Sequence, residues 1–256
     1  MSDRVQTPCA EPGKLHAMTL HLRWAARTDR GLVRSGNQDC LYAGPRLLAV
    51  ADGMGGMAAG DVASRIVIES LAPLDVQVDD DHQMEALHKA LETANGRIAE
   101  LVAGDAALQG MGTTLTVVHF NGTQAALAHV GDSRAYLLRD GTLNQLTKDD
   151  TYVQMLVDQG VIQPEEANSH PRRAVVTQAL QGEPVTPAYL VVPPRPGDRW
   201  LLCSDGLTTV VSADSIADTM REHADTEACA ARLLDLALRG GGPDNITVIL
   251  ADVIDG

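Results

Sequence analysis

Leu47-Leu48-Ala49-Val50-Ala51-Asp52-Gly53 is an apolar run that ends in a carboxylate beside a glycine. The design occurs twice more, as Ala126-Leu127-Ala128-His129-Val130-Gly131-Asp132 and Trp200-Leu201-Leu202-Cys203-Ser204-Asp205-Gly206. A fourth aspartate, Asp244, opens the last apolar run, Asn245-Ile246-Thr247-Val248-Ile249-Leu250. Runs of this length bounded by Gly or Asp read as buried strands. A carboxylate at the tip of a buried strand costs free energy unless something charged meets it. Four such carboxylates at one end of a core repel one another unless a cation holds them together. Any one of them could simply cap a turn, where Asp is common. The set of four, three of them closing strands, is expected to be a metal site. All-oxygen ligation suits magnesium or manganese rather than zinc.

Outward from these runs, residues 21–27 and 40–51 read as strands around the loop 28–39. Residues 58–74 are expected to be helical, with Val62, Ile66, Val67 and Leu71 on one stripe. The clearest helix spans 83–103, where Met84, Leu87, Leu91, Ala94, Ile98 and Leu101 step by three or four. Residues 110–136 read as two strands joined at Asn121-Gly122, and Asp140-Gly141 marks a second hairpin. Residues 148–187 break the pattern with a short helical piece, Pro164, Pro171 and many polar residues, and are expected to form an irregular surface subdomain. Strands at 188–192 and 198–204 and helices at 213–222 and 226–239 follow. Paired strands and paired helices do not alternate as a parallel sheet requires. The expected fold is α+β: two antiparallel sheets in a central sandwich flanked by helix pairs, in α-β-β-α layers.

The chain has 256 residues, 45% of them hydrophobic, enough for one sizeable core. Aromatics are only 3%, with Phe120 the sole phenylalanine, so that core must be aliphatic. A formal charge of −14, with Lys14, Lys89 and Lys148 the only lysines, argues against nucleic acid and anionic membranes as partners. The four cysteines are widely spaced and no His-Glu-x-x-His occurs, so zinc and iron–sulfur chemistry lack ligands. Residues 1–20 lack an apolar centre and are expected to be a flexible tail of a cytoplasmic protein, ahead of a domain at 21–256.

Arg34-Ser35-Gly36-Asn37-Gln38-Asp39 precedes the strand that carries Asp52. The planar fork of an arginine suits two oxygens of a phosphate. Asp39 adds a fifth carboxylate. The glycines after Asp52 let the chain bend, so that the Gly53 carbonyl can face an ion. The spacing is not that of a dinucleotide-binding loop.

Seven segments in order resemble the metal-dependent protein serine/threonine phosphatases of type 2C, in their bacterial form: Arg34-x-x-Asn37-Gln38-Asp39, Asp52-Gly53-Met54-Gly55-Gly56, Gly112-Thr113-Thr114, Gly131-Asp132-Ser133-Arg134-x-Tyr136, Leu146-Thr147-x-Asp149, Ser204-Asp205-Gly206-Leu207 and Asp244-Asn245-Ile246-Thr247. The resemblance implies two Mn2+ or Mg2+ ions and a weaker third. Asp52 would bridge the two core ions, Gly53 would give its carbonyl to the first, and Asp205 and Asp244 would hold the second. Asp39 would act through a bound water, Asp132 and Asp205 would share the third ion, and Arg34 would bind the substrate phosphate. Residues 148–187 would be the family's mobile flap. The implied reaction is attack on a phosphomonoester by a water activated between two ions.

The chain departs from the family at the proton donor. Met54 and Met57 stand where eukaryotic and many bacterial members carry a histidine, and Asp150 replaces a histidine common after the Leu-Thr-x-Asp segment. Water is therefore the expected donor, with His170 on the flap as the rival. His129 reads as a core histidine, and Arg172 and Arg173 as either phosphopeptide contacts or solvated charge. The expected partner is a phosphoprotein, including an opposing bacterial serine/threonine kinase, and the expected state a monomer. A catalytically inactive phosphoprotein-binding relative and a phosphohydrolase of small phosphoesters are the competing readings.

Overall fold

The computed structural model describes residues 20–167 and 169–256, leaving out the side chains of 56–58. The tail expected at the N-terminus falls almost wholly outside this range, as does the side chain of Met57. Among the described residues eleven strands build two antiparallel sheets. The first joins β1 (Leu20–Asp29), β11 (Ile246–Asp255), β10 (Arg199–Cys203), β7 (Arg134–Arg139) and β8 (Thr142–Gln145) in that order. The second joins β2 (Asp39–Ala43), β3 (Leu47–Met54), β5 (Leu115–Phe120), β6 (Ala125–Val130) and β9 (Ala188–Val192), with the two-residue β4 (Gly112–Thr113) pairing the end of β3.

The unbroken apolar runs follow from burial on both faces. Successive strand residues point to opposite sides. Leu48 and Val50 thus enter the layer between the sheets with Phe120, Leu137, Trp200, Leu202 and Ile249. Leu47, Ala49 and Ala51 meet the helices α1 (Gly56–Leu71) and α2 (Gln83–Gly104) through Val67, Leu87 and Ile98. On the far side Leu201, Cys203, Val248 and Leu250 pack on α6 (Ala213–Glu222) and α7 (Thr226–Arg239) through Ile216 and Leu233. The result is the expected α-β-β-α stack, with Trp200 and Phe120 the bulkiest side chains of an otherwise aliphatic centre.

Several local expectations change. The stretch 40–51 is two strands: Gly44-Pro45-Arg46 turns the chain, the Gly44 amide donating to the Leu47 carbonyl. Asp75, on the segment after α1, holds that turn through the Arg46 amide and the Tyr42 hydroxyl. Asp52 consequently lies inside β3, in register opposite Asp39, rather than at a strand tip. The stretch 110–136 holds β4, β5, β6 and the start of β7, which crosses to the other sheet. Asn121-Gly122 belongs to a four-residue loop closed by Asn121 and Gln124. The first helix stops at Leu71 and continues as a 3-10 turn, Ala72–Leu74.

Among the described residues of 148–187 the helices are α3 (Tyr152–Asp158) and the single turn α4 (Pro164–Ala167). Isolated bridges Thr151–Val176 and Thr113–Leu180 pin this segment to itself and to β4. The four-residue α5 (Asp205–Thr208) begins at Asp205. Among the described residues no helix is long and apolar enough to cross a membrane.

Candidate metal and phosphate site

The antiparallel register brings the acidic positions together. β10 runs against β11, so the residues after Cys203 and those before Ile246 lie at the same end. Asp39 and Asp52 face each other across β2 and β3, and Asp132 leaves the turn after β6. Asp52, Asp132, Asp205 and Asp244 line one cleft of about 700 Å³ with Gly53, Met54, Arg34 and Gln38, and Ala174 and Val176 of the flap segment close its side. Asp39 lies just behind. Close packing lets the strand end and the helix meet here. A Cβ on Gly53 would stand 2.2 Å from the Gly60 carbonyl oxygen of α1, so only glycine allows this approach.

Apart from Asp244, which pairs with Arg34, no arginine or lysine forms an ion pair with these carboxylates among the described residues. Asp39 Oδ2 accepts from the Ser204 and Thr247 hydroxyls, both at 2.7 Å, while its buried Oδ1 has no partner. Burial raises the Asp39 carboxyl to about 6, with its hydroxyl bonds opposing. Burial, then repulsion from Asp39 and Asp205, holds Asp52 well above the usual carboxylate range. Asp205 rises to about 6 through burial and the fields of Asp244 and Asp39, and Asp132 to about 8 through burial, Asp205 and Asp149. Four buried acids held above their ordinary pKa, with one buried oxygen unpaired, fit a missing positive charge. The donors are all oxygen, as magnesium or manganese prefers. Among the described residues no three acidic, imidazole or thiol groups close a cage by themselves. Magnesium-like ions keep several waters, and the partial shell here suits that habit.

Arg34 reaches the same cleft. Its guanidinium pairs with Asp244 at 2.6 Å while more than half of its side chain stays exposed. Asn245 shapes the loop that presents it: its Nδ2 donates to the Arg30 and Gly36 carbonyls, and its Oδ1 accepts the Gln38 amide. The hydroxyls of Ser204 and Thr247 and this side chain received no role from the sequence. Their signal was a polar group inside an apolar run, where burial demands a partner.

The other candidates separate cleanly. His129 is a buried strand residue between the Thr116 hydroxyl and the Lys148 carbonyl, as expected of a core histidine. Arg172 stacks over the Tyr152 ring at 5.4 Å, and His170 Nδ1 accepts the Arg172 amide. Neither residue lines the cleft, nor does Arg173.

A model of the family described as protein phosphatase 2C matches residues 33–237. The serine/threonine protein phosphatase PstP of Mycobacterium tuberculosis is 54% identical over 238 residues, 93% of this chain and 46% of the relative, so the chain spans about half of that protein's length. Protein phosphatase PhpP of Streptococcus pneumoniae is 38% identical over 235 residues, 88% of this chain and 95% of the relative. A crystal structure of M. tuberculosis PstP superposes with TM-score 0.89 at 52% identity, covering 92% of this chain and 100% of that one. The catalytic domain of PstP in complex with two manganese ions gives TM-score 0.87 at 52% identity, over 93% and 100%. The chain belongs to the protein phosphatase 2C family.

Proposed function

We propose that this chain hydrolyses phosphoserine and phosphothreonine on proteins. The observation that carries this reading is a cleft that four carboxylates line, with a fifth just behind them and one arginine entering, in a chain of this family. Asp52 would lie between two divalent ions, with the Gly53 carbonyl on the first and Asp205 and Asp244 on the second. Asp39 would act from behind through a water on its unpaired oxygen, and Asp132 with Asp205 would hold a weaker third ion. When bound, the ions supply charge neutralisation and a nucleophilic water of lowered pKa.

The remaining work falls to this chain's own groups. The exposed Arg34 fork binds the phosphate oxygens, and its pairing with Asp244 keeps it aimed into the cleft until a phosphate arrives. Displacement at phosphorus is in line and needs positioning more than covalent help. The leaving alkoxide requires a proton. Met54 lines the cleft and carries none, and among the described residues no histidine does so. Water is left as the donor. An opposing serine/threonine kinase, a monomeric state and a cytoplasmic location complete the reading.

The test is hydrolysis of p-nitrophenyl phosphate and of a phosphothreonyl peptide after dialysis against chelator. Activity should vanish and return with manganese or magnesium. Full activity in excess chelator overturns the proposal.

A further inference from the structure

Asp150 is a departure from the family pattern, and the structure gives it four main-chain and side-chain bonds at one place. Its amide donates to the Gly131 carbonyl at 2.7 Å, and its carboxylate Oδ2 accepts the Gly131 amide at 2.9 Å. Its carbonyl accepts the Thr177 amide at 2.7 Å, and Oδ1 accepts from Gln178 Nε2 at 3.0 Å. Gln178 Oε1 in turn accepts the Thr186 amide at 3.2 Å. The outgoing stem of the flap segment, its returning stem and the turn that presents Asp132 are thereby tied through one side chain.

The turn itself is rigid. Gly131 has a φ of +104°, and a Cβ there would meet Thr114 Cγ2 at 2.6 Å. Thr114 accepts the Asp52 amide, donates its own amide to the Asp52 carbonyl, and shares a 2.8 Å hydroxyl bond with Ser133. Thr116 holds the Ser133 carbonyl at 2.8 Å. Hydrogen bonds therefore join Asp52 to Thr114 and Thr114 to Ser133, the main chain carries the link from Ser133 through Asp132 to Gly131, and hydrogen bonds resume from Gly131 to Asp150 and on to Gln178. Just before Gln178, the chain places Ala174 and Val176 on the wall of the cleft.

We infer that Asp150 is a positioning residue that clamps the flap segment to the turn carrying Asp132, setting the wall against which a peptide substrate lies. A carboxylate suits this post because it can accept from an amide and a side-chain amide at once, each on its own oxygen. An imidazole has at most one acceptor nitrogen and would hold one stem only. A small phosphoester needs only the ions and Arg34, whereas a peptide extends beyond them onto the wall. The inference rests on the phosphatase reading for its kinetic arm but not for its structural one.

The experiment compares Asp150→Ala, Gln178→Ala and the double variant. Metal-free Asp150→Ala should show amide exchange across 151–178 faster by about tenfold, a typical coupling for one hydrogen-bonded network. With manganese, its kcat/KM on a phosphothreonyl peptide should fall about tenfold, chiefly through KM, while kcat on p-nitrophenyl phosphate stays within about twofold. Gln178→Ala leaves the Gly131 bonds intact and should raise exchange and peptide KM by about two- to threefold, adding nothing once Asp150 is gone. Additive effects, or equal losses on both substrates without a change in exchange, overturn the clamp. If Asp150→Ala does not fold, wild-type exchange and KM in Gln178→Ala overturn it. A wild-type chain with no metal-dependent hydrolysis refutes the phosphatase reading instead, and the exchange arm still decides the clamp.

Discussion

The two ends of β10 and β11 treat carboxylates in opposite ways. At one end Asp252 receives Arg199 at 2.6 and 2.9 Å and Arg23 at 2.9 Å, and Asp198 receives two nitrogens of Arg139. Although burial works against it, the arginine bonds hold Asp252 below its ordinary pKa. At the other end Asp39, Asp52, Asp132, Asp205 and Asp244 share one ion pair, Arg34 with Asp244. Asp39, Asp52, Asp132 and Asp205 are all held above the ordinary value. One end of these strands thus holds an internally neutralised cluster, and the other meets β2, β3 and the turn after β6 in a cluster that waits for charge from outside. A buried carboxylate with its own arginine supports the fold, and a set without one supports binding.

The largest test of this contrast is Asp52→Ala. Turnover should fall by orders of magnitude, yet unfolding in chelator should show equal or greater stability, because a repelling charge is gone. Wild-type-like turnover would refute the bridging role, and a large stability loss would erase the difference between the ends. Arg199→Met is the mirror image. It removes two of the three arginine bonds on Asp252, leaving only Arg23, and frees the carbonyls of Met220, His223 and Ala224 at the end of α6. Denaturant unfolding should report a loss of about 3–5 kcal/mol, as for breaking a buried pair, with turnover per folded molecule unchanged.

Arg34→Ala comes next. It removes a phosphate contact, so KM should rise about tenfold, about 1.4 kcal/mol of binding, with a smaller fall in kcat. Calorimetric manganese affinity should stay level or tighten, since Asp244 loses its competing arginine. A large fall in that affinity would move Arg34 from the substrate to the metal shell. The smallest effect is the pH dependence of the metal-free chain. The folded pKa values of Asp39, Asp52, Asp132 and Asp205 lie above their unfolded values. Their protonated forms therefore favour folding, and that contribution is lost as pH rises from about 4 to about 8, the span between the ordinary Asp value and that of Asp132. Asp252 has the opposite sign and weakens the fold only below about 4, as it gains a proton. Thermal unfolding against pH in chelator checks both, and a midpoint that rises from pH 5 to 8 would contradict the cleft assignment.

Much of this was legible along the chain because its causes are local. Helices α6 and α7 begin and end where the pattern puts them, since Ser212 and Asp225 cap them through amides three residues on. The apolar runs announced both sheets, and the aspartates beside them announced the cleft. Less visible were the break at Gly44-Pro45-Arg46, which Asp75 stabilises from some thirty positions away, and the passage of the chain between sheets after Val130. Apolar continuity looks the same whether a strand pairs with its neighbour in sequence or with a distant one.

Sequence alone determined the element types, the layered α+β plan, the acidic positions and the family, because burial periodicity, caps and oxygen donors are written in single residues and short spacings. Tertiary structure alone decided which partners those residues meet. Asp39 faces Asp52 only through strand register, and its oxygen rests on Ser204 and Thr247, 165 and 208 positions away. Arg34 finds Asp244 across 210 positions, and Arg199 rather than any cleft residue finds Asp252. Pairing energy depends on distance in space, which the folded sheets set and the order of the chain does not.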